Sequence, residues 1–147
     1  MISKYISLNE ATVTRTGLSN IPNSNQLSAM KHVGILFDKV REHFGVAIGI
    51  SSFFRSEKVN KAVGGASTSQ HVKGEAIDID ADIYGKVTNK QIFDYIKDNL
   101  NYDQLIWEHG TDLNPAWVHV SLKLSGNRKE TLKAKKHGSK TIYTKYR

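Results

Sequence analysis

The sequence predicts an α+β fold: a small antiparallel sheet with helices packed on one side. Three observations predict it. One long stretch repeats its apolar residues at helical spacing. Several short β-branched runs follow, the last two consecutive. The length of 147 residues, with 39% hydrophobic and 24% charged positions, suits one globular core.

Residues 1–23 read as irregular, with Gly17 and Pro22 as breakers. A helix follows from about Asn25 to Phe44, where Leu27, Met30, Val33, Leu36, Phe37, Val40 and Phe44 recur every three or four residues. Asn23 to Asn25 supplies capping side chains and Gly45 the stop. The β-branched and aromatic run Val46 to Phe54 reads as a strand. Ser56 caps a short helix that runs to Val63 and closes at Gly64-Gly65. Ala76 to Asp80 reads as a strand. Thr88 and Gln91 form a capping box for a helix to about Leu100, with Ile92, Tyr95, Ile96 and Leu100 on its apolar face. Gln104 to Glu108 and Trp117 to Leu122 read as two further strands, and the second alternates cleanly. Thr141 to Tyr143 is a candidate late strand. The chain divides into a domain over 1–124 and a basic C-terminal tail over 125–147, an extension of the same domain.

The net charge of +7 is concentrated in that tail. From Ser125 to Arg147 there are eight lysines or arginines against one acid, Glu130, which accounts for the whole excess. A basic tail on a neutral body favours an anionic partner, such as a cell-envelope polymer; it equally serves as a solvated extension. Nucleic acid is disfavoured, because the tail offers Tyr143 and Tyr146 but no recognition motif. No apolar run is long enough to cross a bilayer, and the N-terminus lacks the apolar core of a signal peptide. The expectation is a protein made in the cytoplasm without a signal peptide and with no membrane insertion. Cysteine is absent, which excludes thiolate ligands and cysteine nucleophiles. A metal site must then use His, Asp or Glu, leaving zinc, manganese or iron.

Chemistry-bearing residues cluster in two places. In Ser69-Gln70-His71-Val72-Lys73-Gly74-Glu75-Ala76-Ile77-Asp78, a glycine permits a tight turn before the strand. Alternation then places Ile77 and Ile79 on one face and Asp78 on the other. In Trp117-Val118-His119-Val120-Ser121, the valines alternate inward and His119 outward. If the two strands lie together, His119 and Asp78 share one space and the Gly74 turn folds His71 over them. Two imidazoles and a carboxylate form a three-ligand zinc set with a fourth position for water. A half-buried strand histidine and a turn aspartate are the plainer alternative.

The pattern Ser69-x-His71-x-x-Gly74-x-Ala76-x-Asp78, followed by Trp117-x-His119, resembles the M15 family of zinc peptidases, which includes D-alanyl-D-alanine carboxypeptidases, dipeptidases and phage endolysins. The resemblance covers about Ile50 to Leu122. It implies zinc held by His71, Asp78 and His119, and a fold shared with hedgehog signalling domains. Family members carry an arginine shortly before the first motif that binds the substrate carboxylate; here the match is Arg55. A guanidinium suits a carboxylate through two parallel hydrogen bonds. Ser69 is then a substrate contact or orients its loop.

One position departs from the family. Many members place an acid three residues before the last histidine ligand, where this chain has Ala116. Glu108 is the leading alternative base. If Gln104–Glu108 and Trp117–Leu122 form a hairpin with Glu108 opposite Trp117, then Glu108 and His119 share the outward face. Asp112 is a second candidate. Glu75 is poorer, since alternation sets it opposite Asp78. His109 is a candidate to orient a ligand or stabilise developing charge, while His32, His43 and His137 are not expected to bind metal. The resemblance implies a zinc peptidase acting on peptidoglycan stem peptides, released to the wall as a phage lysin or carried in a virion. The alternative, motivated by Ala116, is a catalytically weakened zinc module that binds wall peptides or a protein.

Overall fold

A computed structural model describes residues 1–147. The elements in chain order are α1 (Leu8–Ala11), α2 (Ser24–Phe44), β1 (Gly49–Ser52), α3 (Glu57–Ala62), β2 (Ala76–Asp80), a 3-10 turn (Ala81–Ile83), α4 (Asn89–Asn99), β3 (Gln104–Glu108), β4 (Trp117–Ser121), β5 (Glu130–His137) and β6 (Lys140–Lys145). The strands form one sheet in the order β1-β2-β4-β3-β5-β6.

The expected α+β layout is present, and its caps lie where the side chains predict them. Asn23 and Gln26 make a reciprocal capping box on α2, Thr88 and Gln91 one on α4, and Gly45 ends α2 in the left-handed region. Both long helices cover the same face of the sheet. Met30, Val33, Phe37 and Val40 from α2, with Ile92, Phe93 and Ile96 from α4, bury themselves against Ile77, Ile79, Leu105, Trp107, Val118 and Val120. The period-2 alternation leaves Asp78, Glu108 and His119 on the uncovered face.

Four differences from the sequence reading have physical reasons. The first 23 residues contain the single turn α1, and Ser3, Lys4 and Tyr5 are tied to Asp38 of α2. The strand expected over Val46 to Phe54 shrinks to Gly49–Ser52, because the Phe53 carbonyl accepts from His71 and the Phe54 amide donates to Ala11. The sheet is antiparallel except at one pairing, where β5 runs parallel to β3. The C-terminal residues form a complete hairpin, β5 with β6, docked on β3, and Tyr146 packs near Phe93 and Trp107 with ring centroids 4.9 and 5.8 Å away.

Candidate metal centre

The antiparallel pairing of β2 with β4 sets Asp78 directly opposite His119. Directly opposed side chains share one face. His71 arrives from the turn before β2. Gly74 makes that turn possible twice over: its φ is +75°, and a Cβ there would stand 2.6 Å from the Gln26 carbonyl oxygen. Ser69 steadies the same turn by accepting the His71 amide at 3.2 Å.

The three side chains meet in one place, with their ligand atoms within 4.8 Å of one another. His71 Nε2 lies 3.2 Å from Asp78 Oδ1, and His119 Nδ1 lies 3.0 Å from the same oxygen. The His71 tautomer follows from its other contact. Nδ1 stands 2.6 Å from the Phe53 carbonyl oxygen, which can only accept, so Nδ1 carries the proton. Nε2 then presents a lone pair, and it is buried without a hydrogen-bond partner. A nitrogen lone pair 3.2 Å from a carboxylate oxygen calls for a cation between them, a proton or a metal ion. Two imidazole nitrogens and a carboxylate oxygen, with no thiolate, suit zinc, and the backbone carbonyl on Nδ1 is the usual orienting contact of a metal-binding histidine. The residues fit the group. Burial alone would raise the Asp78 pKa, but the two histidines outweigh it and hold the carboxyl well below the usual range.

The centre opens into a groove of about 940 Å³ that is also lined by Arg55, Ser69, Glu75, Glu108, His109 and Trp117. Glu108 pairs with Trp117 and Ile106 with His119, the register that puts Glu108 on the His119 face. Glu108 is 7% exposed. Its pKa is pushed up to about 7, chiefly by burial; His119 and Arg55 oppose this, and Asp78 adds to it. The Ala116 amide donates to the Glu108 carbonyl at 2.8 Å, so the position that lacks an acid lies beside the one that has it.

Arg55 borders the centre, with Nη2 3.9 Å from Asp78 Oδ2 and Nη1 donating to Asn60 Oδ1 at 3.2 Å. Its Nε is buried without a partner. Burial pulls the Arg55 pKa down, against Asp78 and Glu108. Gly65 permits the Arg55–Asn60 approach, since a Cβ there would fall 2.0 Å from Asn60 Oδ1.

Other candidates fall elsewhere. Asp112 is exposed, is paired with Lys133 and Lys135, and does not line the groove. Glu75 does line it, contrary to the alternation argument, because β2 begins only at Ala76; there it accepts from Gln70 at 3.3 Å. His109 Nε2 stands 3.7 Å from Glu108 Oε2. His32, His43 and His137 are outside the groove, and His43 stacks on Tyr95 at 3.8 Å.

Sequence reasoning missed several residues. Asn60 is buried beside Arg55 without any motif to mark it. Asp103 is fully buried and binds Arg128 through both carboxylate oxygens, at 3.1 and 2.7 Å, and Gln70 at 3.1 Å. It thus joins the start of the tail to the neighbour of His71. Burial opposes the Asp103 shift, but the Arg128 hydrogen bonds dominate and hold its pKa at about 2. Leu132, Thr141 and Tyr143 also line the groove, which no local pattern announces.

Compared with known proteins, residues 4–121 match the family model described as Peptidase M15. No curated protein matches.

Proposed function

The chain belongs to the peptidase M15 family, and from that premise we propose that it is a zinc-dependent peptidase that hydrolyses peptidoglycan stem peptides at bonds containing D-amino acids. The observation that carries the reading is the buried, unpartnered Nε2 of His71 aimed at Asp78 and His119, with Glu108 in the same groove. When bound by these three residues, zinc supplies an acidified water and Lewis-acid polarisation of a carbonyl. The other roles belong to the chain's own side chains. Arg55, which lines the groove, holds a substrate carboxylate through its guanidinium. Glu108 takes a proton as water oxygen bonds to the scissile carbonyl carbon, and passes it to the leaving amine as the C–N bond breaks. Burial raises its pKa above the ordinary carboxylate value, which suits a group that both takes and returns a proton. Ser69 keeps the His71 turn in place. The basic hairpin holds the enzyme near anionic wall polymer. The setting is phage-type lysis, with the enzyme released to the wall from the cytoplasm or carried in a virion.

Ala116 favours a second reading, a zinc module with weakened catalysis that binds wall peptides or a protein. Mass spectrometry of purified peptidoglycan after incubation with zinc-loaded protein separates the two. The peptidase reading expects new fragments that a chelator suppresses, and their masses name the bond cut. It also expects His119→Ala to lose both zinc and cleavage. Full zinc content in that variant would sink the ligand assignment, and no fragments from several wall chemotypes would leave the binding module standing.

A further inference from the structure

The family match ends at residue 121, yet the groove does not. Its far wall is built by β5 and β6, which contribute Leu132, Thr141 and Tyr143. Two rows of opposed residues cross the sheet here. In one, Trp117, Glu108, Ala134 and Tyr143 are aligned on β4, β3, β5 and β6. In the other, His119, Ile106 and Leu132 are aligned. Aligned residues share a face, so Tyr143 stands on the Glu108 face, two strands and about 10 Å of backbone away. The residue between them is Ala134, which is fully buried and carries only a methyl group on that face. Tyr143 remains 53% exposed on the edge strand β6. The floor beside it is apolar, made by Ile106 and Leu132.

We propose that Tyr143 is a substrate-binding residue that closes the groove on the Glu108 side and donates a hydrogen bond to a backbone carbonyl of the bound peptide. The inference rests on the peptidase reading and deepens it. With Ile106 and Leu132 below, this subsite takes an apolar side chain, held by its backbone rather than by a charge. The hydroxyl is a free donor: burial and the charges of Glu108 and Asp78 push its pKa up, and no hydrogen bond contributes. The tail hairpin is therefore part of the substrate site as well as a basic appendage.

The test is calorimetric binding of soluble muropeptides carrying a stem pentapeptide to zinc-loaded Glu108→Gln, with and without Tyr143→Phe or Tyr143→Ala. Loss of one neutral hydrogen bond predicts about three- to tenfold weaker binding for Phe, and a larger loss for Ala. Zinc content should be unchanged in both. On the otherwise wild-type chain, Tyr143→Phe should raise KM by the same factor and leave kcat nearly intact. Equal binding with and without the hydroxyl would overturn the inference and leave the peptidase reading untouched, as would loss of zinc from the Phe variant. If muropeptides bind neither background and the wild-type chain cleaves no wall, both readings fall together.

Discussion

His71 can offer a metal only one nitrogen, because its Nδ1 proton is committed to the Phe53 carbonyl. The same economy governs Glu108. Its carboxyl is buried, and burial disfavours the charged form, so the folded chain holds this proton to about pH 7, against an ordinary value of 4.5. The sign of the stability effect follows. The folded state binds the proton more tightly than the unfolded state. The stabilisation is complete below pH 4.5 and is lost as pH rises through 7. A shift of this size corresponds to on the order of 3 kcal/mol. Glu108→Gln removes the titration. In chelator, the fall in melting temperature between pH 5 and pH 8 should be smaller in the variant than in the wild-type chain; equal falls would mean that Glu108 is not buried as a neutral acid. With zinc bound, the added positive charge moves the midpoint below 7. The wild-type kcat/KM should then rise with pH along a limb centred there, and Glu108→Gln should lose about 10²- to 10⁴-fold in kcat while keeping its zinc.

At the scale of elements, the centre depends on how closely the His71 turn approaches α2. Gly74 combines a positive φ with a neighbour that cannot move, the Gln26 carbonyl, and the Gln26 side-chain amide returns a hydrogen bond to the Val72 carbonyl at 2.9 Å. Gly74→Ala should therefore cost well above the roughly 1 kcal/mol that positive φ alone imposes. Gly17→Ala is the internal control, with φ +74° and open space where its Cβ would go. Urea unfolding of the two variants checks this: similar midpoints would mean that the turn is free to shift away from α2. The elements also show what the sequence made readable. The pairing of Glu108 with Trp117 was legible because two alternating strands close in sequence have few registers, and a slip of one residue would turn Val118 and Val120 out of the core. The parallel pairing of β5 with β3 was not. It joins segments separated by β4, and a lysine-rich run such as Lys133-Ala134-Lys135-Lys136 carries no apolar face that sets a register. Tyr143 inherits its place from that pairing, so its side of the sheet could not be read before the hairpin was docked.

For the whole molecule, the question is how one small domain divides its charge between its groove and its basic hairpin. The hairpin carries both groove-lining residues and lysines outside the groove lining. Lys133 and Lys135 are engaged with Asp112. Lys136, Lys140 and Lys145 are exposed, have no acidic partner and do not line the groove. Charges so placed act over about one Debye length, near 8 Å at physiological salt, and so report on an anionic surface rather than on a bound peptide. Replacing all three with glutamine should weaken co-sedimentation with purified wall sacculi and move its midpoint to lower salt. Cleavage of soluble muropeptides, which have no extended anionic surface, should be unchanged within about twofold, because solvent-exposed lysines that do not line the groove contribute little to it. Undiminished sedimentation would return the tail's charge to the role of a solvated edge that keeps β6 from pairing with another chain. A parallel loss of muropeptide cleavage would instead mean that the hairpin's charge is coupled to the wall that Tyr143 builds, and that adhesion and recognition share one surface.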